Sequence, residues 1–254
     1  MRALLISSLL VSLVVAPGLV AADDHEGLKA QLEAAMASDV RTAAEKERDR
    51  NRKPVETLAF YGLEADMRVV EMLPGGGWYT KLLAPVLRDE GELYLAIGSG
   101  RAMKALADVE GFDKLKETAS DAEFSREPGA RLYDLTLPSG LGVKKADIVF
   151  TFRNYHNFSE AGRKAMNDAA FAALKRGGVY AVVDHTRRHM EADSGENVRR
   201  LDPVLAIKEI QAAGFVFEDF TDLHFRADDE LRYEVGRRSV SGNTDRWTLK
   251  FRKP

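Results

Sequence analysis

The stretch 69-VVEMLPGGGWYTKLL-83 decides how this chain is read. Val69 and Val70 open a short apolar run that ends in an acid, Glu71. Pro74 and three glycines follow, and then a helix-like segment over 79–87. Gly75, Gly76 and Gly77 tolerate positive φ and carry no side chain, so backbone there can approach a ligand closely. The N–H groups that open the next helix can receive a carboxylate or phosphate. A glycine cluster by itself serves equally as a tight turn, so the surrounding chain has to decide.

Working outward, strands and helices alternate. Strand patterns fall at 68–73, 92–97, 130–134, 146–152 and 179–184. Helical patterns separate them at 79–87, at 101–118 in two pieces split near Gly111, and at 159–175. A helix over 203–213 capped by Asp202, then strands over 215–223 and 247–252, close the chain. The runs 147-DIVFTF-152 and 179-VYAVVD-184 are apolar on both faces, as in a parallel sheet covered by helices. Alternation of this kind argues for right-handed βαβ crossovers and an α/β, doubly wound fold. In such a sheet ligands bind at the carboxyl ends of the strands, where the glycines sit.

Upstream, 24–50 is charged and alanine-rich, with Leu28, Leu32, Ala35 and Met36 at helical spacing. Pro54 allows a further helix that Gly62 ends. The expected organisation is a helical N-terminal arm over 23–60 and an α/β domain over 61–254. Residues 1–22 read as a secretory signal peptide: Arg2, an apolar stretch over 3–15, then Pro17, Gly18, and Val20 and Ala22 before the cut. Ser7, Ser8, Ser12, Pro17 and Gly18 interrupt the stretch, which argues against a membrane anchor. The expected location is therefore periplasmic or secreted, with no membrane association after cleavage. The chain has no cysteine, so it has no disulfide framework and no thiolate nucleophile. A net charge of −3 gives no electrostatic footprint for nucleic acid, and the expected partner is a small molecule.

The pattern Glu71, Gly75, Gly77 resembles the first motif of class I S-adenosylmethionine-dependent methyltransferases. In the same order, 133-YDLTLP-138 resembles their acidic segment after the third strand, 147-DIVFTFRNYHNF-158 their fourth strand and loop, and 174-LKRGGVYAVVDH-185 their turn into the fifth. The combination of PGGGWYT with the tail 244-TDRWTLKFRKP-254 resembles, more narrowly, a group of exported predicted methyltransferases. The resemblance implies a mostly parallel, seven-stranded, Rossmann-like sheet and S-adenosylmethionine as cofactor. It implies that Glu71 orients the cofactor's amino-acid end, with Pro74, Gly75, Gly76 and Gly77 making room for it. Asp134 would accept from the adenine amine, and Phe152 and Arg153 would lie beside the sulfonium. The segment carrying Arg48, Asp49 and Arg52 would lie across the pocket. Two positions depart from the pattern. Leu73 stands where the first glycine is usual, and 95-LAIGSG-100 ends the second strand without the acid that would hold the ribose, leaving Ser99.

Arg153, Asn154, His156 and Asn157 follow the fourth strand, and Asp184 and His185 the fifth, which is its expected neighbour. An imidazole beside a carboxylate can act as a general base near neutral pH, so His156 or His185, with Asp184, Arg153 and Asn154, form the candidate catalytic set. The same side chains could instead cap loops and satisfy buried backbone. Asp184, His185 and His156 also offer N/O ligands to a metal, but without a tight ligand motif, and no metal is expected. The function expected is methyl transfer from S-adenosylmethionine to a small-molecule O or N nucleophile. The alternative is an exported, non-catalytic protein that binds a nucleoside-like ligand on the same fold.

Overall fold

The computed structural model describes residues 17–254, and side chains from residue 26. The basic start and apolar stretch of the expected signal peptide, over 1–15, lie outside the described residues. The first helix, α1 (Pro17–Ala37), contains the expected cut after Ala22, and residues 23–37 are what cleavage would leave of it. Three short helices follow: α2 (Ala43–Glu47), α3 (Asp49–Arg52) and α4 (Pro54–Tyr61). Among the described residues no helix is long and apolar enough to cross a membrane.

From there the chain alternates. In order come β1 (Arg68–Met72), α5 (Thr80–Leu87), β2 (Glu92–Ala96), α6 (Gly100–Leu106), β3 (Lys116–Thr118), β4 (Glu123–Ser125) and β5 (Asp134–Thr136). Then come β6 (Ala146–Phe152), α7 (Glu160–Ala173), β7 (Leu174–His185), α8 (Pro203–Ala212), β8 (Val216–Thr221) and β9 (Arg246–Arg252). Seven strands form one sheet in the order β3-β2-β1-β6-β7-β9-β8. The first five are parallel, and β9 runs antiparallel to both of its neighbours. This is the expected doubly wound, mostly parallel architecture.

Period-two alternation along the strands divides the core into two layers. Val70, Met72, Val149, Tyr180 and Val182 face α7 and α8. Val69, Leu95, Ile148, Phe150 and Ala181 face the other way, against Leu58 and Tyr61 of α4 and Leu82 and Leu83 of α5. Leu28, Leu32 and Ala35, the apolar stripe of α1, are buried in that second layer. The arm therefore shares a core with the sheet after residue 26.

Three expectations need correction. The third strand of the main sheet is β3, not 130–134, and the second half of the 101–118 helical pattern supplies it. β3 is a three-residue edge strand, Lys-Glu-Thr, and a short charged edge shows no alternation to read. Residues 130–133 precede β5, which pairs antiparallel with β4 in a separate two-stranded sheet. Finally, α7 ends at Ala173 and β7 begins at Leu174, so Lys175, Gly177 and Gly178 belong to the strand rather than to a turn before it.

Candidate functional site

A cavity of about 290 Å³ opens at the carboxyl ends of β1 and β6. Glu71, Leu73, Pro74, Gly75 and Gly76 line it from the glycine loop, and Phe152, Arg153 and Asn154 from the end of β6. Larger hollows of about 390 and 500 Å³ lie by the amino ends of β2 and β1, and one of about 550 Å³ lies between α7 and α8. The smaller cavity is the one where an open α/β sheet places its ligands.

The loop owes its shape to left-handed backbone. Gly75 has φ 61° and Gly77 φ 80°, so both glycines are needed as glycines. Leu73, at the position usual for a glycine, also takes φ 55°. For a side chain-bearing residue that costs on the order of 1–2 kcal/mol. Ile97 after β2 (φ 62°) and Arg153 after β6 (φ 59°) do the same, so three strand ends around one crevice carry strained backbone. Asn154 braces the arrangement: its Nδ2 donates to Leu73 O and Phe152 O, both at 3.1 Å. This positioning role differs from the catalytic role the sequence suggested.

Glu71 is buried at the end of β1 and accepts a 2.6 Å hydrogen bond from Thr80 Oγ1. Burial pushes its carboxyl up to about 7, although Thr80 and Arg52 favour the charged form. Phe152 stacks on Tyr79 with ring centroids 3.6 Å apart, and Trp78 meets Tyr79 edge-on at 4.6 Å.

The arm covers the loop, as the resemblance implied. Trp78 Nε1 donates to Glu45 O at 2.9 Å, and Lys81 Nζ reaches both carboxylate oxygens of Glu45 at 2.9 Å. The guanidinium groups of Arg52 and Arg41 lie over the Trp78 ring at 4.1 and 4.9 Å. Asp49 is bound to Arg41 instead of facing the cavity. Glu45, Arg48 and Arg52 complete the lining, together with Arg101 from α6. Arg101 lies over the glycines: a Cβ placed on Gly75 would be 3.3 Å from its Nη2.

Arg101 and Glu45 were not singled out from sequence. For Arg101 a signal existed, since the β2–α6 loop also leaves a strand at its carboxyl end. Glu45 had none, because the arm's docking depends on a backbone carbonyl and a lysine distant in sequence.

His156, Asp184 and His185 do come together, but behind the cavity and not in its lining. Asp184 Oδ1 is 2.5 Å from His156 Nδ1 and accepts the His185 N–H at 2.6 Å, while Oδ2 accepts the His156 N–H at 2.9 Å. The carboxylate is thus fully engaged. The His185 Nδ1 is paired with Thr244 Oγ1 at 2.8 Å, and burial, reinforced by His156, holds this imidazole well below its ordinary value. The cluster ties the end of β6 to the end of β7, which is the backbone-satisfying alternative weighed from sequence. Among the described residues no group of three or more His, Asp or Glu side chains stands in metal-holding geometry.

Asp134 lies on β5, exposed, and its Oδ1 accepts from Ser159 Oγ, the N-cap of α7. It is outside the cavity lining. With β3 as the third strand, the first acid to follow it is Asp121. At the end of β2, Ser99 Oγ donates to Glu117 Oε1 of β3 at 2.7 Å, so a neighbouring strand brings a carboxylate to the place where β2 has none.

No protein-family model matches the chain, and no curated protein is similar to it in sequence. Solved structures are similar in fold. A SAM-dependent methyltransferase from Aquifex aeolicus aligns over 82% of this chain and 93% of its own, with TM-score 0.55 and 14% identity. The [4+2]-cyclase SpnF aligns over 86% and 85%, with TM-score 0.56 and 14% identity. The glycopeptide N-methyltransferase MtfA complexed with sinefungin aligns over 81% and 94%, with TM-score 0.51 and 16% identity. The chain has the class I methyltransferase fold. A fold shared with a protein described as a cyclase does not by itself fix the reaction.

Proposed function

We propose that the protein binds S-adenosylmethionine at the glycine loop and transfers its methyl group to a small-molecule O or N nucleophile. The observation that carries the reading is the loop itself: a buried carboxyl on β1, then left-handed Gly75 and Gly77, at the carboxyl edge of this sheet. The residues present suit the cofactor's amino-acid end, with Glu71 for the ammonium and the cavity's guanidinium groups for the carboxylate. By their order along the chain, Glu117, which accepts from Ser99 at the end of β2, is the acid we assign to the ribose. Asp121, the first acid after β3, is the one we assign to the adenine amine, although neither lines the cavity at the glycine loop. When bound, the cofactor supplies an electrophilic methyl on a sulfonium. The chain's part is to position the acceptor against it and to exclude water, with Phe152 and Tyr79 forming one apolar wall. Glu71 is the cavity carboxyl whose value lies near neutrality, whereas His156 and His185 act on loop structure.

The second reading is a non-catalytic binding protein. The engagement of Asp184 and the withdrawal of both histidines from the cavity favour it. The expected signal peptide favours it too, since it would remove the protein from the cofactor's site of synthesis. We propose export on that sequence ground, and N-terminal sequencing from the native host should begin at or near Asp23.

Calorimetric titration with S-adenosylmethionine and S-adenosylhomocysteine tests cofactor binding. Gly75→Val and Gly77→Val should abolish it in folded protein: both positions take positive φ, a Gly75 side chain would meet Arg101 in the cavity, and a Gly77 side chain would press on Ala102 and Leu106 of α6 and displace the loop. Undiminished binding in both variants would reduce the loop to a turn. Methyl transfer is then tested with labelled cofactor, and binding without transfer to any acceptor supports the second reading.

A further inference from the structure

Four arginines line the cavity: Arg48 and Arg52 from the arm, Arg101 from α6 and Arg153 from the end of β6. Among the described residues, none of the four guanidinium groups has a hydrogen-bond acceptor or an ion-pair partner. Arg52 is only 4% exposed, and Arg153 Nε is buried without any partner. Arg52 does rest on the faces of Trp78 and Tyr79, at 4.1 and 5.5 Å, but a ring face does not neutralise a charge.

The carboxylates nearby are already committed. Glu45 is matched by Lys81, Asp49 by Arg41, and Asp184 by three N–H groups. Glu71 accepts from Thr80, and burial favours its neutral form. The arginines therefore oppose one another. Burial, and after it Arg153, pushes the Arg52 guanidinium down to about 8. A guanidinium does not give up its proton under ordinary conditions, so the tension is one of unneutralised charge. Buried charge without a partner is costly, which applies to Arg52 and Arg153, while Arg48 and Arg101 are exposed; arginine's planar fork matches carboxylate and phosphate oxygens.

We propose that this cavity binds a small molecule carrying at least two oxyanion charges, a polycarboxylate or a phosphate monoester, held by Arg48, Arg52, Arg101 and Arg153. Naming this ligand the methyl acceptor rests on the methyltransferase reading; its anionic character does not. The cofactor's single carboxylate satisfies one guanidinium, while its ammonium and sulfonium add positive charge. An adenosyl ligand alone thus leaves the arginines unneutralised, and the second occupant must supply the negative charge.

The test uses the full chain in physiological salt. Tricarballylate, its neutral triamide, inorganic phosphate and S-adenosylmethionine are titrated separately by calorimetry, with melting curves alongside. At least one anion should bind saturably and raise the melting temperature, and the triamide should do neither. Arg52→Gln and Arg101→Gln should each weaken anion binding about ten- to a hundredfold. Arg101 is exposed, so its variant stays informative if Arg52→Gln fails to fold. Lys104→Gln, one turn along α6 and outside the lining, should bind like the parent. Preference for tricarballylate over phosphate, or the reverse, identifies the oxyanion. The proposal is overturned if neither anion binds, or if both arginine variants bind as tightly as the parent. Binding of S-adenosylmethionine without either anion would sink this inference alone. Anion binding without S-adenosylmethionine would sink the methyltransferase reading alone.

Discussion

Glu71 offers the sharpest quantitative test of the site. Its carboxyl rises from an ordinary 4.5 to about 7 because the side chain is buried at the end of β1. At about 1.4 kcal/mol per pH unit, that rise is worth roughly 3 kcal/mol. The folded chain holds this proton more tightly than the unfolded chain does. Its contribution to stability is therefore fully present below pH 4.5 and is lost as pH rises through about 7. Above that pH the ligand-free protein carries a buried, poorly compensated carboxylate.

Glu71→Gln removes the ionisation and keeps an oxygen for the Thr80 hydroxyl. The variant should match the parent's stability near pH 4. It should gain on the parent across pH 4.5–7, reaching up to about 3 kcal/mol above pH 7. Urea denaturation of both proteins over this range measures the difference, and the titration of every other group cancels to first order. The same variant should bind S-adenosylmethionine about ten- to a hundredfold more weakly, because the ammonium loses a charged acceptor. A gain in stability at the expense of binding is the signature of a functional carboxyl. A difference that stays flat across pH 4.5–7, or a variant less stable than the parent above pH 7, would refute the account of Glu71.

Three further substitutions have expected outcomes. Asp134→Ala, which removes the acceptor for Ser159 Oγ, should lower the melting temperature slightly and leave adenosyl-ligand affinity within about twofold. Asp121→Ala should weaken that affinity about tenfold and flatten the preference for adenine over hypoxanthine, read by titrating both nucleoside ligands. Away from the cavity, Arg200 and Asp229 form a fully buried pair at 2.8 and 3.0 Å that joins the segments after β7 and before β9. Asp229→Ala should cost about 3–5 kcal/mol in denaturant unfolding. Replacing both partners by Met and Leu should recover only a minor part of it, because Asp229 also accepts from the Leu231 and Asp245 N–H groups and Arg200 also donates to Thr186 O and Tyr233 O.

Much of the fold was legible because long strands and helices announce themselves by period. β1, β2, β6, β7 and β9 were all expected within a residue or two, apart from the early start of β7. The stripe Leu28, Leu32 and Ala35 was legible in the same way. What failed was β3. Its three residues are charged or polar, and its place in the sheet rests on backbone pairing with Tyr94, Leu95 and Ala96. The misplacement bears on Asp134, sought as the acid after the third strand, which stands instead on β5 of the two-stranded sheet.

The site divides along the same line. Glycine positions were legible because φ is a property of one residue, and Gly75 and Gly77 have the values their type permits. For the histidines, proximity was legible but burial was not: both lie outside the cavity lining. His156 and His185 are indeed neighbours, 5.4 Å apart, yet Asp184 holds both turned to the purpose of joining two strand ends. The arginines were hardest to see. Arg48 and Arg52 were expected across the pocket and Arg153 beside it, each taken separately, while Arg101 looked like the first turn of a helix. Their convergence needs the arm folded onto Trp78 and three separate chain segments meeting at one loop. The charge that most constrains the ligand is thus a property of the tertiary structure. A net charge of −3 conceals a cavity lined by four arginines.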